Sequence, residues 1–109
     1  MKRWRVIIEL PAQQDIAEAY EWLAERASDA AERWFNSLHE TIGSLGIFPE
    51  RCPLAPESKF FNVEIREVFH GRRQHKYRIL FIVRAEEVHV LHVRHGARLV
   101  LGEPESPDE

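Results

Sequence analysis

Between His75 and Arg84 the chain reads HKYRILFIVR, and Tyr77 to Val83 carries bulky apolar residues at both odd and even positions. A strand with one wet face alternates apolar and polar residues, and this one does not. It must therefore lie centrally in a sheet, covered on both faces, or covered on one and facing a ligand groove on the other. Two further strands flank it, at about 63–69 and 87–94. The connectors are HGRRQ on one side and the tight Ala85-Glu86-Glu87 turn on the other.

The first half supplies the cover. WRVIIEL (4–10) is β-branched and aromatic, and reads as a first strand. Pro11 suits the first turn of a helix over 12–27, where Ile16, Ala19, Tyr20, Leu23 and Ala27 form one stripe. Asp15, Glu18, Glu21 and Glu25 make the outward side acidic. Ser28 is the expected N-cap of a second helix reaching about Leu45, with Ala31, Trp34, Phe35, Leu38, Ile42 and Leu45 on its apolar side. Gly46 falls where that helix should end. Trp22, Trp34 and Phe35 sit at helical spacing and are expected in the core. Pro49, Pro53 and Pro56 make 46–62 irregular. The expected fold is α+β, in the order β-α-α-β-β-β, with a helical hairpin on one face of a small, mostly antiparallel sheet. The other face has no element left to cover it and should be the working surface.

At 109 residues and 44% hydrophobic, the sequence allows one domain, expected over 1–101, followed by a disordered acidic tail at 102–109. No apolar stretch is long enough to span a membrane, and Val6 to Ile8 is too short for a signal-peptide core. The expected compartment is the cytoplasm. The single Cys52 permits no internal disulfide and no cysteine zinc site. His92 and His95, three apart on a strand, point to opposite faces, so they and His89 are not expected to hold zinc. No metal and no cofactor is expected.

Charge is segregated. Residues 59–98 hold nine Lys/Arg against four Glu and five of the six histidines, whereas 1–58 hold six Lys/Arg against ten Asp/Glu. A cationic sheet beside an acidic helical half suits an anionic partner. Strand alternation gathers Arg66, Arg78, Arg94 and His92 on one face, a cluster able to grip phosphate or, with an imidazole as base, to cleave RNA. Surface ion pairs of Arg66 with Glu64 or Glu67 are the plainer reading of the same residues.

Three segments carry a resemblance: DIAEAYEWLAE with AAERWFNSLHETIGSLGIFPERCPLAPE, then IREVFHGRRQHKYRILFIV, then VHVLHVRHGAR. Together they resemble the RelE/ParE superfamily of toxins from type II toxin-antitoxin, or plasmid stabilisation, systems. The resemblance implies a toxin neutralised by a cognate antitoxin in a hetero-oligomer, with no membrane partner. RelE-like members cut messenger RNA on the ribosome; ParE-like members poison DNA gyrase. If the chain is a nuclease, the resemblance assigns catalysis to Arg78 and Arg94, with His92 in place of the family's unmatched C-terminal tyrosine or His-Tyr pair. Antitoxin or target binding falls to Arg66, Arg78, Arg94, His95 and Arg98, with Arg94 and Arg98 both open for the late basic position. The nuclease pattern is incomplete: no tyrosine follows Tyr77, and Glu64 and Glu67 stand where cations would help. Without the tail the charge is only +1. The expected reading is ParE-like growth inhibition through gyrase. The alternatives are a RelE-like endoribonuclease or an inactive paralogue that only binds antitoxin.

Overall fold

The computed structural model describes residues 2–72 and 76–96. Strand β1 (Arg5–Ile8) leads into helices α1 (Leu10–Ala24) and α2 (Ser28–Gly43), and three 3-10 turns follow at Ser44–Gly46, Pro49–Arg51 and Pro56–Phe60. Strands β2 (Arg66–His70), β3 (Tyr77–Arg84) and β4 (Glu87–His95) close the described chain. The sheet order is β1-β4-β3-β2, parallel between β1 and β4 and antiparallel elsewhere. This is the expected α+β order, with β3 inside the sheet. Among the described residues no helix is long and apolar enough to cross a membrane.

The helical hairpin packs on the sheet face that carries Ile79 and Phe81. With Leu38, Ile42, Leu45, Val88, Val90 and Val93 these form the main core, and Trp34, Phe35 and Tyr77 pack against it half-buried. Each fully buried Leu, Ile or Phe side chain contributes roughly 1.5–3 kcal/mol by leaving water, so this one layer holds the hairpin to the sheet. Trp22 does not join it. The ring is 52% exposed, and the Arg26 guanidinium lies over it, 3.8 Å from the centroid.

Two local expectations are corrected. Ser28 is the first residue of α2 rather than its cap, and Ala27 at the N-cap makes no side-chain bond. The second helix stops at Gly43, and Gly46 serves a different purpose. Its carbonyl accepts from Trp4 N at 2.8 Å, and a Cβ there would stand 3.1 Å from the Trp4 carbonyl oxygen. The glycine lets the chain leaving α2 pass against the start of β1.

The sheet face opposite the helices is not bare. The proline-bearing connection folds back over β2 and β3, burying Ala55 and Ile65 against Leu80. Backbone bonds tie it down: Ala55 N to the Ile65 carbonyl at 2.7 Å, and Glu67 N to the Pro53 carbonyl at 3.1 Å. An irregular segment can cover a sheet only if its own polar groups find partners. Here the edge of β2 and the Ser58 hydroxyl, which accepts from Ile65 N, supply them. This explains why β3 is apolar on both faces: one face meets helices, the other meets the connection.

Candidate functional site

Register decides which arginines can cooperate. Arg66 lies opposite Phe81, and Phe69 lies opposite Arg78. Cross-strand partners share a face, so Arg66 is on the helix side and Arg78 on the other. The expected cluster of Arg66 with Arg78 is not formed. Arg66 instead donates to the Cys52 carbonyl at 2.6 Å and the Glu50 carbonyl at 3.3 Å. It fastens the connection to the edge strand.

Arg78 is buried, and its fork is filled by two carboxylates. Nη1 and Nη2 donate to the two oxygens of Glu57 at 2.8 and 2.5 Å, while Nε and Nη2 donate to Glu67 Oε1 at 3.0 and 2.9 Å. The Glu57 side chain is fully buried. Hydrogen bonding to Glu57 outweighs desolvation and, with Glu67, holds the guanidinium pKa above its ordinary value. Arg78 is therefore a staple between β3, β2 and the last 3-10 turn, with no face open to a phosphate. Arg94 stands opposite Arg78, and its Nε is buried without a hydrogen-bond partner among the described residues.

The histidines are dispersed. A bulge between Leu80 and Phe81 breaks the alternation of β4, so Val90 and Val93, three apart, both reach the core. Register keeps His92, opposite Leu80, on the same face as Arg94, opposite Arg78, but the His92 Nδ1 lies 2.9 Å from Asp15 Oδ2. The same carboxylate oxygen accepts from Val93 N at 2.9 Å. The reason is local: β1 pairs with β4 only as far as Val90, and past that point α1 supplies the acceptor. His95 meets the Tyr77 ring edge-on at 5.3 Å. Arg98 and the tail at 102–109 lie outside the described residues.

His89 is held at both ring nitrogens, by Glu9 at 2.6 Å and Glu87 at 3.0 Å. Two carboxylate partners require two N–H donors, hence the imidazolium. The Glu9 bond, reinforced by Glu87, raises the His89 pKa against desolvation. Stabilisation from a raised pKa is complete below the unfolded value and is lost as pH climbs through the folded one. His70, between Ser37 Oγ and Thr41 Oγ1 at 3.0 and 2.9 Å, behaves oppositely. Burial lowers its pKa, so it opposes folding as pH falls below the usual imidazole range. His89→Gln should thus lower the urea midpoint more at pH 6 than at pH 9. An equal loss at both would contradict the imidazolium.

What the structure does leave open is a groove of about 750 Å³ beside the end of β4 that β1 does not reach. Asp15, Glu18 and Trp22 of α1, Trp34 of α2, Tyr77 and His95 are prominent in its walls. The Trp34 indole N–H is buried without an acceptor among the described residues. By helical spacing alone Trp22 belongs in the core and Asp15 and Glu18 on the solvated side of α1. The signal was present: 15, 18 and 22 follow i, i+3, i+7 and share one side of α1. Glu57 gave no comparable signal, because nothing in a proline-rich loop marks which acid turns inward.

The family model for the ParE toxin of the type II toxin-antitoxin system, parDE, matches residues 6–100. No curated protein matches the sequence. Among solved structures, a chain titled "Chromosomal ParDE TA system from P. aeruginosa" superposes with a TM-score of 0.69 at 14% identity. The match covers 87% of this chain and 98% of that one. At that identity the likeness is one of fold.

Proposed function

We propose, for a chain that belongs to the ParE toxin family of type II toxin-antitoxin systems, that it arrests growth through DNA gyrase and is silenced by a cognate antitoxin in a hetero-oligomer. The supporting observation is the state of Arg78. RelE-like cleavage would use this arginine against phosphate, yet Glu57 and Glu67 already occupy four of its N–H directions. Freeing it would expose a buried carboxylate and cost several kcal/mol. Asp15 binds His92 through Nδ1 and leaves Nε2 as the nitrogen that could take a proton, so the case against cleavage rests on Arg78. A positioned catalytic group contributes typically ~10²–10⁴ in rate, so a site without an arginine open to phosphate should leave messenger RNA intact.

Induced expression in a bacterial host, with and without the neighbouring antitoxin frame, tests this reading. Growth should stop only without the antitoxin, and RNA 5′ ends mapped minutes after induction should show no codon-phased cuts. Cuts that vanish in Arg78→Ala would make the chain a ribosome-dependent nuclease instead. No arrest, with the antitoxin still bound by the purified chain, would leave an inactive antitoxin-binding paralogue.

A further inference from the structure

The groove beside α1 has a chemistry opposite to the one that the cationic sheet suggests. Two indoles and a phenol line its walls, and its α1 side carries two carboxylates. Glu18 is exposed at the rim, and Asp15 keeps Oδ1 after spending Oδ2 on His92 and Val93. Aromatic faces with adjacent carboxylates attract a cation with an apolar stem: the ring quadrupole and the carboxylate act on the same charge. The chain already shows the preference, since Arg26 lays its guanidinium on Trp22 at 3.8 Å. Arg78 and Arg66, by contrast, offer little to an acidic segment, Arg78 being sealed by Glu57 and Glu67 and Arg66 spent on loop carbonyls.

We propose that this groove takes an arginine or lysine side chain from the antitoxin's toxin-binding segment, caged by Trp22 and Trp34 and paired with Glu18 and Asp15. The inference rests on the toxin reading for its occupant, but the cation preference belongs to the groove. Charge complementarity selects the occupant. The acidic outward side of α1 repels an acidic segment and draws a basic amphipathic one, whose apolar neighbours cover the exposed indole. A volume of about 750 Å³ holds more than one side chain, so the cation would enter with flanking apolar residues.

Two arms test it. In the first, the chain is titrated with Nα-acetyl-arginine methylamide and with its neutral citrulline counterpart, following the Trp22 and Trp34 indole N–H signals by NMR. Both signals should move with arginine, with affinity about fivefold above citrulline. Glu18→Gln should erase most of that difference. Equal response to both probes, or none, overturns the cage. In the second arm, affinity for the antitoxin encoded beside the gene should fall about tenfold or more in Glu18→Lys and stay unchanged in Arg84→Glu, a site at the far end of β3. Undiminished binding by Glu18→Lys overturns the proposal while leaving the toxin reading intact. A Glu18→Lys chain that binds antitoxin normally but loses toxicity would assign the groove to the target and overturn the antitoxin as occupant. A chain that prefers arginine yet binds no antitoxin would overturn the occupant and the toxin reading together, and leave only the cation preference.

Discussion

Glu57→Ala should cost about 3–5 kcal/mol, more than any surface acid in the chain, because it strands the buried Arg78 guanidinium with half its partners. Glu67 still holds Nε, which sets the cost toward the lower end. The check is the urea midpoint at unchanged slope. The informative control is the combined variant Arg78→Met, Glu57→Leu, Glu67→Gln. Removing all three charges together should recover most of the loss, since a buried ion pair often does no better than apolar side chains of similar size. If Glu57→Ala alone costs under ~0.5 kcal/mol, the last 3-10 turn does not sit on the sheet as described. The same pair of measurements bears on function: an Arg78 whose loss is repaired by charge-neutral packing is a structural arginine.

Leu38→Ala should cost ~2–5 kcal/mol. Leu38 is fully buried in the layer between α2 and the sheet, with Phe81, Ile79 and Val90 in the same core. Truncation leaves a cavity that two rigid elements cannot collapse to fill. Trp22→Ala, at a ring half-exposed on the other helix, should cost much less, although both residues lie on helix stripes of similar appearance. Thermal or urea unfolding of the two variants separates a core position from a groove position directly.

These contrasts mark where the sequence was legible. The period-3.6 stripe of Leu38, Ile42 and Leu45 and the dense apolar run around Phe81 announced the helix–sheet layer. Pro11 placed the start of α1 within its first turn. What failed was whatever depended on pairing between distant segments. Arg66 and Arg78 are both even-numbered, which suggests one face, but the register pairs Arg66 with Phe81 and so parts them. The β4 bulge breaks the alternation between Val90 and Val93, and His92, on the same face as Arg94, is drawn to Asp15 of α1. No local pattern announces a bulge, because the extra residue is specified by the neighbouring strand. The cover over the second sheet face was missed because it comes from 3-10 turns rather than a periodic element. Its key residue, Glu57, looks in sequence like any surface acid. Trp22 was assigned to the core by its spacing, yet the hairpin of α1 and α2 leaves it at the groove.

The gyrase reading meets its most direct test in one reaction: purified gyrase relaxing or supercoiling plasmid DNA in the presence of the purified chain, scored for cleaved and relaxed product. Inhibition or trapped cleavage that rises with the chain's concentration, and disappears when the antitoxin is added first, is the expected result. Unimpaired supercoiling at a concentration of chain well above that of the enzyme would contradict it.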